Sequence, residues 1–470
     1  MLFNSSSFFI FFICLLAVTL LSPKRWMKIV LLLASLVFYS FWYPPYLIML
    51  LVTVSINYLF LKRIYVLRTV PGDDPRAKNL LIISLVFNLL LLFGFKYLHF
   101  MAGIFGYSLP ADFKWALPLG ISFYTFEAIA CLVDTYNRAN PFPPRFQDFL
   151  FFVSFFPHLI AGPILRIKTD WVHVMSPIKP SLKSFNSGLY LFVWGLCKKL
   201  LIADNLSIFV DGSFNNIENL SSVSAWVGIY AFAVQIYCDF SGYVDMALGL
   251  AIIFGIELPD NFNGPYLSQS ITEFWHRWHI TLSSWLRDYL YIPLGGNRKG
   301  EVRTFINLML TMLLGGLWHG ANLTFVVWGG LHGLYLSAEK LLAEHCGLKL
   351  IEDKNKFSPR ILIQQIICFH LVCLAWVFFR AANIQVAMDY IRRLVNLASF
   401  SFMNIDPFMK QSVVILVIAL GLHLLNRKFN LKNTISTWRL EFKFAFLVFA
   451  FVLLLVMGVK QEVRFIYFDF

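Results

Sequence analysis

The sequence predicts an all-α, polytopic integral membrane protein with about 11–12 transmembrane helices and further re-entrant or interfacial helices. Three observations carry this. Of 470 residues, 59% are hydrophobic and 14% charged, whereas a soluble domain carries roughly 25% charged residues. Apolar runs of spanning length recur along the whole chain, with no long hydrophilic block between them. Lys and Arg gather in the short loops, so positive-inside topology accounts for the net charge of +13 and nucleic acid is not an expected partner. The chain reads as one integral domain, 1–470, with N-terminal spans over 1–110, a core over 111–380 and C-terminal spans over 381–470.

Taken in order, the first apolar run, Phe8 to Leu21, has neither a basic start nor a small-residue cleavage site and reads as a retained span. Spans near 28–42 and 47–61 deliver Lys62, Arg63, Arg68, Arg76 and Lys78 to the cytoplasm. A span from about 79 leads to an outer segment, Met101 to Phe113, without Lys or Arg, and the next runs from about 115 to 133. Phe149 to Leu165 is short, holds Pro157, Gly162 and Pro163 and has basic loops on both sides, so it reads as re-entrant and cavity-lining. Spans follow over 189–208 and 226–237. After them, CDFSGYVDMALGLAIIFG mixes Asp239, Asp245, Gly242 and Gly249 with apolar residues too sparsely for a clean span. That stretch reads as helix beside a polar pocket, with tight glycine-mediated packing as the alternative for the glycines. An aromatic amphipathic segment, Trp275 to Tyr291, ends in the basic turn Gly295 to Arg303. Helices near 304–317, 323–343, 361–379, 411–426 and 444–458 complete the count, with the basic stretch Lys349 to Arg360 inside. The seven cysteines show no CxxC spacing and read as buried thiols.

Ionisable residues in an apolar setting mark candidate sites, and they are densest between Glu273 and Gly333. His319 lies in WHGAN between two apolar helices whose far ends are basic, so its turn faces the outer half of the membrane. Burial keeps an imidazole neutral and its lone pair available, and the flanking glycines admit close approach. A core histidine bonded to a neighbouring helix is the alternative. His276 and His279, three residues apart, share a face if the segment is helical. With Glu273 they suggest a metal cluster, but the pattern is not HExxH, and no metal is assigned. Arg287 and Asp288, with Arg298, Lys299 and Arg303, suit the phosphates or acidic surface of an acyl donor, or are ordinary inner-side charge. No GxSxG, GxxxxGK[ST] or GxGxxG supports serine catalysis or a nucleotide fold.

The composite FWHRWHITLSSWLRDYLYIPLGGNRKG followed by GGLWHGANLTFVVWGGLHG resembles the membrane-bound O-acyltransferase family, and within it the branch that acetylates alginate and related exopolysaccharides. LPLGISFYTFEAIACLVDTY, FFPHLIAGPILR, QIYCDFSGYVDMALGLA, WVFFRA and FIYFDF extend the likeness from near residue 117 onward. The resemblance implies helices enclosing a catalytic tunnel, with the family's near-invariant histidine at His319 and its second histidine at His279; His276 receives no family role. Trp278, Trp318, Asn322, Asp239, Arg287 and Asp288 are the candidates for substrate contact or tunnel lining. The implied donor is acetyl-coenzyme A or an acyl carrier protein, with no tightly bound cofactor. A periplasmic partner of the SGNH-hydrolase type, a glycan acceptor and membrane lipid complete the expected company, in the inner membrane of a bacterium. D-alanyl transfer to teichoic acid, and a membrane glycan transporter or flippase, are the alternatives.

Overall fold

The computed structural model describes residues 1–69, 74–107, 117–139, 145–345, 358–396, 406–429, 438–459 and 463–468. The expected outer segment beyond Tyr107, the basic stretch Lys349 to Phe357 and Cys346 lie outside them. Among the described residues the structure is all-helical. The elements are α1 (Ser6–Leu21), α2 (Met27–Ser40), α3 (Pro44–Thr69), α4 (Pro75–Leu92), α5 (Leu98–Ile104), α6 (Ile121–Tyr136), α7 (Phe146–Ser154), α8 (Ile167–Met175), α9 (Leu182–Cys197) and α10 (Asp204–Asn215). They continue with α11 (Ser222–Ile253), α12 (Ile271–Arg277), α13 (Ile280–Leu286), α14 (Glu301–His319), α15 (Leu323–His345), α16 (Pro359–Arg380), α17 (Ile384–Val395), α18 (Pro407–Phe429) and α19 (Leu440–Met457).

Five stretches among the described residues are long and apolar enough to cross a membrane: Pro44–Thr69, Pro75–Ile104, Ser222–Ile253, Pro359–Arg380 and Pro407–Leu425. The other expected crossings coincide with helices that are shorter or more polar, such as the 16-residue α1 and α6. The segment after Tyr237 is helical, as expected, and for its glycines the packing alternative holds. It continues α11 without a break to Ile253, because its glycines serve packing: a Cβ on Gly242 would stand 2.7 Å from the carbonyl oxygen of Gly195, and one on Gly249 would stand 2.5 Å from that of Gly188.

The chain forms two compact units, Met1–Trp194 with Tyr243–Asp260, and Gly195–Gly242 with Asn261–Phe470. The first is built on an aromatic cluster in which Phe3 stacks on Tyr243 at 4.9 Å and Phe38 meets Phe156 at 5.4 Å. Asn57 and Asn88 exchange side-chain hydrogen bonds of 3.1 and 2.7 Å between α3 and α4, satisfying two polar groups that an apolar helix pair cannot leave open. The proline-interrupted run Phe149 to Leu165 ends α7 at Ser154, continues as turns and is buried throughout. One of its freed donors, Phe156 N, bonds Ser35 Oγ at 3.1 Å. The second unit holds every candidate residue named above.

Candidate active site

His319 is positioned by the closest helix pair of the second unit. α14 and α15 meet through glycines: a Cβ on Gly316 would come within 2.3 Å of Phe325 O, and one on Gly329 within 2.2 Å of Met312 O. Backbone therefore lies on backbone, and the last residue of α14 is held in a fixed place. There the His319 ring is buried, 5.0 Å from Trp318, 5.1 Å from Trp328, 5.3 Å from Phe379 and 5.7 Å from Tyr467, centroid to centroid.

His279 reaches the same chamber by a different device. α12 stops at Arg277, and His279 takes a left-handed backbone (φ 43°) before α13 begins, a conformation costly for a residue with a Cβ. The turn is over-determined. Ser270 Oγ accepts from Glu273 N at 3.0 Å, while Glu273 Oε2 accepts from Gln269 N at 2.7 Å. These bonds cap the start of α12. Glu339 of α15 accepts from Ile271 N and, at 3.0 Å, from Thr272 N. Beyond the turn, Asn261 O accepts from Ile280 N at 3.0 Å, and Asn261 Oδ1 accepts from Thr281 Oγ1 at 2.6 Å. The His279 ring is fully buried, edge-on to Phe240 at 4.7 Å, with Trp318 at 6.1 Å and Tyr467 at 6.2 Å. The two histidines thus share Trp318 and Tyr467 as walls.

The expectation that His276 and His279 lie on one helix face is corrected by this turn. The helix ends between them, leaving His276 exposed and His279 buried. Glu273, the third member of the suspected cluster, is held by Arg277 at 2.7 Å.

Two groups of the chamber lie outside the membrane-spanning helices. Burial lowers the His279 imidazole to about 3. Burial, with the Asp239 charge in addition, raises the Tyr467 phenol well above its ordinary range. Both are neutral at physiological pH, so His279 offers a lone pair and Tyr467 an intact hydroxyl.

The remaining candidates divide. Trp318 belongs to the chamber. Trp278 instead packs into the core, stacked on Phe274 at 5.6 Å and 5.1 Å from Trp376. Asn322 caps α15, with its Oδ1 accepting from Thr324 N at 3.0 Å and its Nδ2 donating to Ala382 O at 2.8 Å. Asp239 is buried and bonded to Lys199 at 2.6 Å, one residue before Phe240 of the chamber wall. Arg287 donates to its neighbour Asp288 at 2.8 Å, and both stand in a short π-helical stretch, Arg287–Tyr291. Arg298, Lys299 and Arg303 are exposed around the start of α14.

Arg287 also lines a cavity of about 590 Å³ with His276, Ser283, Asn297, Met312 and Lys340. Its lining climbs α14 to Met312, seven residues or about 10 Å of helix short of His319. Trp275, at its inner wall, lies 5.8 Å from Trp328, which borders His319.

Residues 37–381 match the model of the membrane-bound O-acyltransferase (MBOAT) family. The chain belongs to the MBOAT family. It is 43% identical over 398 residues to the probable alginate O-acetylase AlgI of Pseudomonas aeruginosa, an alignment covering 82% of this chain and 73% of that one. It is 38% identical over 423 residues to the peptidoglycan O-acetyltransferase of Helicobacter pylori, covering 82% and 76%. With the teichoic acid D-alanyltransferase of Bacillus subtilis it shares 24% over 277 residues, 56% of this chain and 68% of that one. As an MBOAT member it is a multi-pass membrane acyltransferase of the AlgI-type branch.

Sequence reasoning missed three residues that touch this region. Tyr467 lies in the quoted FIYFDF, but nothing local signals that its ring reaches two histidines. Lys199 and Asp204 did carry a signal, as charges within the apolar run 189–208.

Proposed function

We propose that this chain moves an acetyl group from a cytoplasmic thioester, acetyl-coenzyme A or an acyl carrier protein, to a hydroxyl acceptor across the inner membrane of a bacterium, for O-acetylation of an alginate-like exopolysaccharide. The observation that carries this is the convergence of His319 and His279 on one aromatic chamber, with the cavity beside Arg287 approaching it along α14.

In this reading the donor's phosphates lie near Arg287, Lys340 and the exposed Arg298, Lys299 and Arg303. Its thioester arm follows α14 towards His319. The acceptor hydroxyl adds to the thioester carbonyl while His319, as a neutral base, takes its proton. The C–S bond then breaks, and the proton passes to the departing thiolate. General-base assistance of this sort is worth roughly 10² to 10⁴ in rate, and holding both substrates in one chamber adds to it. His279, neutral and fixed by its turn, orients the acceptor or the tyrosine beside it. A periplasmic SGNH-type protein carries the acetyl group onward to sugar.

A second acceptor, peptidoglycan, is favoured by the similarity to the Helicobacter pylori protein, which extends over as much of this chain as the alginate-type match. D-alanyl transfer has only the shorter and weaker similarity behind it, and family membership sets the transporter reading aside. To separate the acceptors, membranes carrying the chain are incubated with radiolabelled acetyl-coenzyme A and, in parallel, alginate-type glycan or peptidoglycan, with and without a periplasmic protein fraction. Label on the exopolysaccharide alone is the expected result. Label on peptidoglycan alone selects the second reading, and glycan that moves without acylation overturns both.

A further inference from the structure

The buried charges of the second unit raise a question that the transfer step leaves unanswered. Lys199 and Asp204 sit where α9 gives way to α10, in and directly after a π-helical stretch, Lys198–Ala203. Such stretches are rare and are found often at functional places. Lys199 Nζ lies 2.8 Å from Asp204 Oδ1 and 2.6 Å from Asp239 Oδ1, and all three side chains are at most 2% exposed. Two carboxylates around one ammonium within an apolar bundle are more than charge balance requires, and burying them is costly unless each is fully bonded.

The remaining bonds point to one target. Lys199 Nζ also donates to Arg464 O at 3.2 Å and stands 4.4 Å over the Phe465 ring. Asp239 Oδ2 accepts from Ile466 N at 2.8 Å. The cluster therefore grips the backbone on both sides of Phe465. The next residue but one, Tyr467, packs on Phe240 at 4.1 Å and borders both histidines. Consecutive residues of α11 thus divide the work, Asp239 holding the segment and Phe240 receiving its tyrosine. The segment has little regular structure of its own beyond the three-residue turn Ile466–Phe468.

We propose that Lys199, Asp204 and Asp239 form a latch whose role is to hold the segment Phe465–Phe468 in place, so that Tyr467 closes the chamber of His279 and His319. These are positioning residues that act through Tyr467; Asp204 is ion-paired to Lys199 and supports it. The importance of the latch for transfer rests on the acyltransferase reading above, but its existence does not.

The test follows position 467 directly. The full chain with Tyr467→Cys is labelled in membranes with N-ethylmaleimide, and modification at position 467 and at the native buried Cys373 is read by mass spectrometry, with and without Asp239→Asn, Lys199→Met or Asp204→Asn. The expected result is at least a tenfold rise in labelling at position 467 with Asp239→Asn, a comparable rise with Lys199→Met and a smaller one with Asp204→Asn, while Cys373 stays protected in all. Position 467 staying protected in every variant overturns the latch. So does labelling that rises equally at Cys373, which makes the triad a general support of the fold. With Tyr467 in place, the latch also requires that Asp239→Asn lower the turnover rate at least tenfold while the donor KM changes less than twofold. A matching rise in KM means that the triad shapes donor binding instead and counts against the proposal. Because the labelling needs no substrate, failure of the latch and failure of the transfer reading are told apart.

Discussion

Each compact unit buries a histidine within one of its sequence motifs, and the two keep different company. His158, in FFPHLIAGP of the first unit, has its Nδ1 3.1 Å from Glu127 Oε1, and that carboxylate also accepts from Leu165 N at 3.1 Å. Gly162 packs on the backbone of this turn, where a Cβ would stand 2.2 Å from His158 Cα, and the Phe155 ring lies 6.0 Å from the imidazole. The His158–Glu127 pair ties the turns after α7 to α6. His319 has aromatic rings for neighbours, a second histidine across the same walls and a tyrosine between them. What separates the two is the kind of neighbour: a carboxylate that also accepts from the backbone for His158, and aromatic rings shared with a second histidine for His319.

His319→Ala is expected to lower transfer by roughly 10² to 10⁴ while the yield and melting temperature of the protein stay near those of wild type. A loss of folded protein instead would make His319 a core residue like His158. Tyr467→Phe keeps the ring that packs on Phe240 and removes only the hydroxyl. A fall of about tenfold or more, roughly 1.4 kcal/mol in the barrier, assigns the hydroxyl a part in the chemistry, whereas full activity reduces Tyr467 to a wall.

His158→Ala should do the reverse of His319→Ala. It strands a buried carboxylate, a loss of about 1–3 kcal/mol in stability, and should lower the melting temperature while leaving the specific activity of the folded fraction within twofold. A pH dependence is expected from His279, whose buried imidazole is lowered to about 3 from an ordinary 6.5. Below pH 6.5 the unfolded chain takes up a proton that the folded chain refuses, so stability falls with pH by at most about 1.4 kcal/mol per unit until it levels off near pH 3. His279→Gln should flatten the fall in melting temperature between pH 6.5 and 4.5; an unchanged slope removes His279 from that account.

Much of the second unit was legible in its sequence because the information is local. WHGAN between two apolar helices marks His319, and GG pairs on α14 and α15 mark their close approach. The prolines and glycine of FFPHLIAGP mark the break that the structure buries. What was not legible depends on tertiary partners. Helical spacing joins His276 to His279 on paper, but the left-handed turn that parts them is stabilised by Asn261 and Glu339, which are far away in sequence. Gly242 and Gly249 were readable as packing glycines, but their contacts on Gly195 and Gly188 of another helix were not. Asp239 reads as a pocket residue until Lys199 and the backbone of Ile466 are seen to occupy it.

Thiol release by purified protein reads the part of His319 in the transfer most directly. Acetyl-coenzyme A and an acetylated carrier protein are offered in turn with the glycan acceptor, comparing wild type with His319→Ala at matched melting temperatures. Thiol release by wild type in step with acetyl groups appearing on the acceptor, and at least a hundredfold less by the variant, is the expected result. Equal release by both proteins would contradict it and remove His319 from the reaction.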